Sequence, residues 1–273
     1  MKGKSIMNNI YWPMKVHAVK LEYRRLALEN IPHGYFRIKN GRKYVYVTYD
    51  PLNPKLDPSH PYRLLVNSKR GNRFSAAVAE FIQLRKEYDR LLNEWNSRYE
   101  IPPPRVIFPI KQFSDPHKMN NDFYEKQQSC CGEYISQNPT ISDHGVLKSK
   151  NEQIGADLLK AMGIPFKYEP KVAFVNTEDV INPDYLINFF EIDRCSYLEI
   201  LGMNDRYDYS VKTATKINSF SKDQYRPGRE VIYVLLYDKA NFDEDYFVSQ
   251  VLTAFDTMIP DNAIVWKTDS KAS

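Results

Sequence analysis

From Ser149 onward, short apolar runs alternate with stretches of helical periodicity, and this order limits the chain to a few folds. The helical stretches span residues 150–162, 206–219 and 244–255. Strand patterns span residues 166–169, 172–175, 185–190, 196–201 and 231–237. Helix, strands, helix, strand and helix in this order predict an α/β (α+β) fold with a mixed sheet flanked by helices.

The front part of the chain begins with a hairpin pattern. Strand patterns at residues 35–38 and 44–47 flank Asn40-Gly41, and Asn-Gly is the strongest short signal for a tight two-residue turn. A third strand pattern follows at residues 62–66. These elements predict a small β-rich region.

A long helix is expected to follow this region. Apolar residues recur at three- and four-residue steps from residue 76 to residue 98, and Ser75 is suited to cap the start. Three consecutive prolines at 102–104 end the pattern, and the next stretch is polar and irregular. We therefore predict a basic N-terminal region at 1–104, a linker or irregular segment at 105–148, and a second domain at 149–273.

Charge is distributed unevenly between these parts. Residues 1–75 hold fifteen Lys and Arg against four Asp and Glu, a formal charge of +11, whereas the remainder carries −7. A basic front part predicts binding to a polyanion, with the phosphate backbone of DNA contacted by residues 1–75. The alternative is that these side chains only solvate a small β-rich domain.

Several classes of protein are disfavoured by composition. No apolar run approaches the ~20 residues of a membrane span, and the N-terminus has no signal-peptide core. The three cysteines and five histidines have no zinc-ligand spacing, which argues against a disulfide framework or a zinc site. A cytoplasmic protein without a membrane partner is expected, and a homodimer or larger nucleoprotein complex is compatible with the sequence.

Acidic residues in two of the strand patterns carry the chemical signal. Asp184 follows Asn182-Pro183 at the start of one apolar run, and Glu199 lies fifteen residues later within the next. Neighbouring strands would place these two carboxylates side by side, and such a pair can bind Mg²⁺. Asp184 also has a structural alternative, because an acid after proline is often a turn residue. Glu199 is harder to explain in this way, because a buried carboxylate without a partner is costly.

A third acid, Glu152, lies on the helix predicted from residue 150. Ser149 and Glu152 have the spacing of a capping box. In this motif the serine side chain caps the helix, and the side chain of the acid accepts a hydrogen bond from the backbone amide of the cap residue. Glu152 therefore has a structural explanation beside the functional one.

Residues 149–255 resemble the PD-(D/E)xK nuclease superfamily, which has the restriction-endonuclease-like fold. The resemblance rests on Glu152 in its helix, on Asn182-Pro183-Asp184-Tyr185, and on the run from Tyr197 to Gly202. It implies that Asp184, Glu199, the backbone carbonyl of Ile200 and Glu152 bind one or two Mg²⁺ ions, with Mn²⁺ able to substitute. The implied activity is that of a Mg²⁺-dependent endonuclease hydrolysing DNA phosphodiester bonds.

One departure from the family concerns its catalytic lysine. Leu201 stands where that lysine is expected, two residues after the second acid. The resemblance implies that the lysine is displaced to the following helix, where Lys216 is the first candidate and Lys212 the second. If neither faces the carboxylates, the chain is a catalytically inactive nuclease-like protein that binds nucleic acid or another partner in phage or mobile-element biology.

Overall fold

The computed structural model describes residues 12–110, 116–129, 140–142, 145–177, 179–202, 207–236 and 241–266. It divides into two compact units, of which one holds Met14–Ile107 and the residues from Ile264, and the other Phe108–Ala263. The first unit contains α1 (Trp12–Glu29), β1 (His33–Lys39), β2 (Arg42–Tyr49), β3 (Tyr62–Leu65), α2 (Lys69–Arg98), β4 (Arg105–Val106) and, at its C-terminal end, β13 (Ile264–Val265). The second contains α3 (Asn121–Lys126), β5 (Thr140–Ser142), β6 (Gly145–Leu147), α4 (Lys150–Ala161), β7 (Phe166–Tyr168), β8 (Val172–Ala173), β9 (Val180–Ile181), β10 (Tyr185–Phe189), β11 (Arg194–Leu201), α5 (Tyr207–Lys222), β12 (Val231–Leu235) and α6 (Glu244–Thr257).

The first unit is built on the antiparallel sheet β1-β2-β3, which packs against α2. The hairpin between β1 and β2 turns at Asn40 and Gly41, both with positive φ, as the Asn-Gly prediction requires. Val45 and Val47 point from β2 toward Phe74 and Val78 of α2 and form the core of the unit. The opposite face of the sheet is therefore left for polar and aromatic side chains.

The start of α2 differs from the sequence-based prediction. The helix begins at Lys69 rather than residue 76, because Ser68 caps it by accepting a hydrogen bond from the Gly71 amide at 3.0 Å. Ser75 instead lies inside the helix and donates to the Gly71 carbonyl at 2.6 Å. Gly71 is required in the first turn, since a Cβ there would lie 1.9 Å from the Leu65 carbonyl oxygen.

Helix α1 was not predicted from the sequence; it buries polar as well as apolar residues and contacts α2. His17 is buried, and its Nε2 lies 2.8 Å from the Leu91 carbonyl oxygen. Glu22 is also buried and pairs with Arg25 at 2.8 Å and with Arg105 of β4 at 2.7 Å. Polar side chains at buried positions interrupt the apolar periodicity by which such a helix would be recognised.

The second unit contains the mixed sheet predicted from the sequence. Its strand order is β12-β11-β10-β7, with β11 and β12 parallel and the other pairs antiparallel. Helix α5 covers one face, where Phe220 lies 5.8 Å from Tyr197 between ring centres. Helices α4 and α6 cover the other, where Gly155 of α4 faces Ile200 and Phe247. The class is mixed α/β, as predicted.

The division of the chain lies near residue 107, which differs from the boundary at 149 inferred from the sequence. Part of the segment interpreted as a linker belongs to the second unit. Met119 and Tyr124 are buried in a core cluster with Leu186 and Tyr197 of the sheet, and the Cys195 amide donates to the Met119 carbonyl at 3.0 Å. Tertiary contacts, rather than local periodicity, fix this segment.

The described helices include none with the length and apolar character needed to cross a membrane.

Candidate active site

Three acidic residues occupy adjacent positions where β7, β10 and β11 meet at one end of the sheet. In the β10–β11 ladder Tyr185 pairs with Leu198, so Asp184 and Glu199 occupy the next opposed positions and share one face. On the other side of β10, the Glu169 amide donates to the Asp184 carbonyl at 3.0 Å. We call Glu169, Asp184 and Glu199 the acidic row.

Asp184 lies at the centre of the row and is partly buried. Its Oδ2 accepts a hydrogen bond from the Ile200 amide at 2.6 Å, which fixes the orientation of the carboxylate. Burial raises the pKa of Asp184 well above its usual range, and the charge of Glu199 raises it further. Asp184 and Glu199 therefore lie close enough for their charges to interact.

Glu199 is the most buried acid of the row, with 1% of its surface exposed. Its Oε2 accepts a hydrogen bond from Lys216 Nζ at 2.7 Å. Its Oε1 is buried and has no hydrogen-bond partner among the described residues. Burial raises the pKa of Glu199 although the Lys216 ammonium lowers it. A buried carboxylate oxygen without a partner is costly, so this atom is poised to receive a cation or a donor.

Lys216 enters the site from α5, on the face of the sheet that carries Glu199. Burial lowers the pKa of its ammonium, but the charges of Glu199 and Asp184 outweigh this and raise the pKa overall. The side chain is therefore a cation at neutral pH. Lys212, one turn earlier, is exposed and lies over the Tyr209 ring at 5.6 Å, so the structure does not bring it to the acidic row.

Glu152 lies at the start of α4, and its carboxylate is occupied by three donors. Oε2 accepts from the Lys148 amide at 3.0 Å and from the Tyr168 hydroxyl at 2.5 Å, while Oε1 accepts from the Ser149 hydroxyl at 3.0 Å. The Glu152 amide in turn donates to Ser149 Oγ at 3.2 Å, which confirms a capping arrangement. The charge of Glu152 still raises the pKa of Asp184 and Glu199, so it contributes to the field of the site.

Glu169 and Lys148 are site residues that sequence reasoning missed. Glu169 is buried and forms an ion pair with Lys148 Nζ. Its charge raises the pKa of both Glu199 and Lys216. The sequence does contain a signal for Glu169, which precedes Pro170 at the end of a strand pattern. Asp184 has a comparable position, because it also lies beside a proline, at the start of a later strand pattern.

The backbone amide of Ile200 faces Asp184. Tyr197 and Leu201 bond to the β12 side, through Tyr197 N to Glu230 O and Leu236 N to Leu201 O, both at 2.9 Å. The Ile200 amide points the other way, toward Asp184. An extended residue directs its carbonyl to the same side as its amide, so the Ile200 carbonyl is directed toward the acidic row.

Two observations bear on whether this site can hold a divalent cation. The described residues contain no group of three or more His, Cys, Asp and Glu side chains in a metal-binding arrangement. Mg²⁺, however, needs only one or two carboxylates because it keeps several waters. Asp184 and Glu199 supply that number of carboxylates, and the Oε1 of Glu199 has no partner among the described residues. The acids of the row together with Glu152 outnumber the nearby lysines, Lys148 and Lys216. The net negative charge of this group also favours binding of a cation.

A cavity of the second unit lies away from the acidic row. It has a volume of about 600 Å³ and is lined by residues that include Phe108, Ile110, Lys118 and Glu191. None of the acids of the row lines it.

Comparison of the chain with protein-family models, with curated proteins and with solved structures found no match.

Proposed function

We propose that this protein is a Mg²⁺-dependent endonuclease that hydrolyses DNA phosphodiester bonds, with Mn²⁺ able to substitute. The observation that carries the proposal is the contact of Lys216 Nζ with Glu199 Oε2 at 2.7 Å, beside a second carboxylate, Asp184. Two carboxylates and an ammonium on one sheet face form the charge arrangement used for metal-assisted phosphodiester hydrolysis.

The order of elements supports a restriction-endonuclease-like fold for the second unit. Helix α4 precedes the antiparallel strands β7, β10 and β11; α5 then crosses to β12, which lies parallel to β11. The two acids of the suspected PD-(D/E)xK pattern lie on β10 and β11, and the lysine lies on α5 instead of at Leu201. In this proposal the chain is a variant of that superfamily with a displaced lysine.

Asp184, Glu199 and the carbonyl of Ile200 would hold the ion, with Glu152 acting through its charge. A bound Mg²⁺ supplies activation of water and neutralisation of the phosphate. Asp184 is held in place by the Ile200 amide, and Glu199 by Lys216. These contacts preorganise the carboxylates, so little reorganisation is needed when charge develops.

Lys216 has a second task in this proposal. The Lys216 side chain is about one third exposed, whereas the Glu199 side chain is buried. The exposed N–H groups can orient an attacking water and stabilise negative charge on the phosphate. Lys148 forms an ion pair with Glu169 at the other end of the row.

A second candidate function is nucleic-acid binding by a catalytically inactive nuclease-like domain. Lys216 already compensates the charge of Glu199, and the described residues lack a group of three metal-binding side chains. Both observations fit a site whose internal ion pair replaces a metal. The front part of the chain would then carry the function.

Cleavage of plasmid and linear DNA by the full chain tests the proposal. Activity is measured with Mg²⁺, with Mn²⁺ and with EDTA, for the wild type and for Asp184→Asn and Glu199→Gln. Mn²⁺ binding by titration calorimetry supplies a readout that does not depend on activity. Asp122→Asn, which changes an exposed acid of α3, is the matched control. The nuclease proposal is supported if the wild type binds Mn²⁺, Asp184→Asn abolishes that binding, and EDTA abolishes cleavage. Cleavage that persists in EDTA contradicts the proposal. A wild type that shows no Mn²⁺ binding and no cleavage favours the inactive form.

A further inference from the structure

One face of the sheet of the first unit packs on α2, and the opposite face carries accessible side chains. Alternation along the strands sends Val45 and Val47 toward α2 and the intervening residues of β2 to the opposite side. Register places Tyr35 opposite Tyr46, Arg37 opposite Tyr44, and Tyr46 opposite Arg63. We call these five residues, Tyr35, Arg37, Tyr44, Tyr46 and Arg63, the tyrosine face.

The side chains of the tyrosine face are ordered by stacking on one another. The rings of Tyr35 and Tyr46 are parallel within 3°, with centres 5.0 Å apart. The guanidinium carbon of Arg63 lies 4.5 Å from the Tyr44 ring centre, and that of Arg37 lies 5.7 Å from the Tyr35 centre. Cation–π contacts of this kind hold planar groups in place without burying them.

The tyrosine face remains accessible in the folded chain. Tyr35 is 39% exposed, and both arginines are exposed, while Tyr44 and Tyr46 are half-buried. Large aromatic surface at an accessible sheet face marks an interaction site more often than isolated exposed residues do. The face thus offers phenol rings and guanidinium planes to a ligand.

Charge selects the class of ligand. Strands β1, β2 and β3 carry five Lys and Arg residues and no Asp or Glu. Lys39 and Arg42, paired at the hairpin end, continue the tyrosine face because they lie two residues from Arg37 and Tyr44. A ligand that covers the face must supply negative charge along its length and planar groups for stacking.

We propose that the tyrosine face binds single-stranded nucleic acid, with unpaired bases stacked on the tyrosine and arginine planes and phosphates paired with the arginines. Bases of a duplex stack on each other and do not offer their planes to a protein sheet, whereas a single strand does. The inference deepens the proposed nuclease function, on which it rests for its biological context, by assigning a substrate with unpaired nucleotides.

Binding of labelled dT15, U15 and a 15-base-pair DNA duplex to the full chain in EDTA, where the proposed hydrolysis cannot occur, tests the inference. Tyr46→Leu removes a stacking ring, and Tyr46→Phe restores it without the hydroxyl. Arg63→Gln removes a cation of the face, and Arg90→Gln, which changes an exposed arginine of α2, is the matched control. Circular dichroism and sedimentation accompany each variant.

We expect Tyr46→Leu to bind dT15 and U15 about 5- to 150-fold more weakly than the wild type, because one base loses its stacking partner. Tyr46→Phe and Arg90→Gln should bind like the wild type. Arg63→Gln should bind more weakly and reduce the slope of log affinity against log salt by about 0.7. The relative affinities of dT15 and U15 then show whether DNA or RNA is the better ligand.

Three results would overturn the inference. These are tighter binding of the duplex than of either single strand, unchanged affinity in folded Tyr46→Leu and Arg63→Gln, or a dimer that the face variants dissociate without loss of oligonucleotide binding. Single-strand binding without cleavage in Mg²⁺ would leave the inference intact and defeat the nuclease. Metal-dependent cleavage by a protein whose oligonucleotide affinity is unchanged in the tyrosine-face variants would support the nuclease and contradict the inference.

Discussion

Replacement of Lys216 by methionine separates catalysis from folding at the candidate site. Methionine keeps an apolar stem of similar length and removes only the ammonium. In the structure that ammonium lies 2.7 Å from Glu199 Oε2, and the other oxygen of Glu199 has no partner among the described residues. The substitution therefore leaves a buried carboxylate without its cation.

The cost to stability follows from this geometry. Removing one partner of a buried ion pair costs about 3–5 kcal/mol. Lys216 is about one third exposed, so solvent screening lowers the expected loss to roughly 2–3 kcal/mol. From the sequence alone, we would expect folding to be little affected; the burial of Glu199 changes that expectation. Turnover should fall by about 10²–10³-fold, as when one preorganised charge donor is lost.

Urea unfolding and DNA cleavage, measured on the same preparations, provide the assay. A double-mutant cycle with Glu199→Gln isolates the pair, because a neutral partner no longer needs the ammonium. We expect Lys216→Met combined with Glu199→Gln to be more stable than the sum of the single changes predicts. Lys212→Met is the matched control; it changes an exposed lysine and should alter stability by less than about 0.5 kcal/mol.

Two outcomes would refute the reasoning. Wild-type cleavage by Lys216→Met would remove the lysine from the mechanism, whatever its effect on stability. Additive stability losses in the double-mutant cycle would show that the ion pair contributes nothing specific. A stability loss in Lys216→Met with no cleavage by the wild type would leave the ion pair as a structural feature and favour the inactive candidate.

The other predictions concern the acidic row and the first unit. Asp184→Ala should lower hydrolysis at least ~10³-fold, yet melt in EDTA at the wild-type temperature or above, because one of two repelling carboxylates is gone. Glu169→Gln should weaken Mn²⁺ binding in calorimetry and cost about 1–3 kcal/mol in urea unfolding, as Lys148 loses a charged partner. DNA affinity should fall roughly 10³-fold between about 50 and 200 mM salt if six or more phosphates are contacted; an unchanged affinity in fluorescence anisotropy would contradict this. Burial lowers the pKa of His17 below 6.5, so the unfolded chain takes up its proton first and stability should decline as pH falls through 6.5; tryptophan fluorescence in urea should show this decline, and His17→Gln should flatten it.

The site could be predicted where local patterns determine geometry. Asp184 directly precedes β10 and Glu199 lies near the end of β11, its antiparallel neighbour, so their separation along the chain sets their opposition in the ladder. The helix that follows has a fixed repeat, which limited the lysine candidates to Lys212 and Lys216. Only the structure distinguishes them, because the choice depends on which turn of α5 faces Glu199.

Elements held by tertiary polar contacts could not be predicted in this way. Helix α1 buries Lys15, His17 and Glu22 among its apolar residues, and these polar positions obscure its apolar periodicity. The start of α2 was expected at residue 76 because Ser75 is a capping type, whereas the close approach of the Leu65 carbonyl requires glycine at position 71 within the first turn. In both cases a contact outside the helix sets the structure, and sequence reasoning uses only the local pattern.

Glu169 is the residue of the acidic row that was not predicted from the sequence, and its conformation is unusual. Its backbone has a φ of +47°, uncommon for a residue other than glycine, and its side chain is buried beside Lys148. An acid held in this way, next to two carboxylates whose pKa values are raised, carries an energetic cost that the ion pair only partly offsets. In the proposed nuclease a divalent cation would offset the rest. Strain and repulsion concentrated at the acidic row are therefore an argument for a ligand at this end of the sheet, independent of any sequence motif.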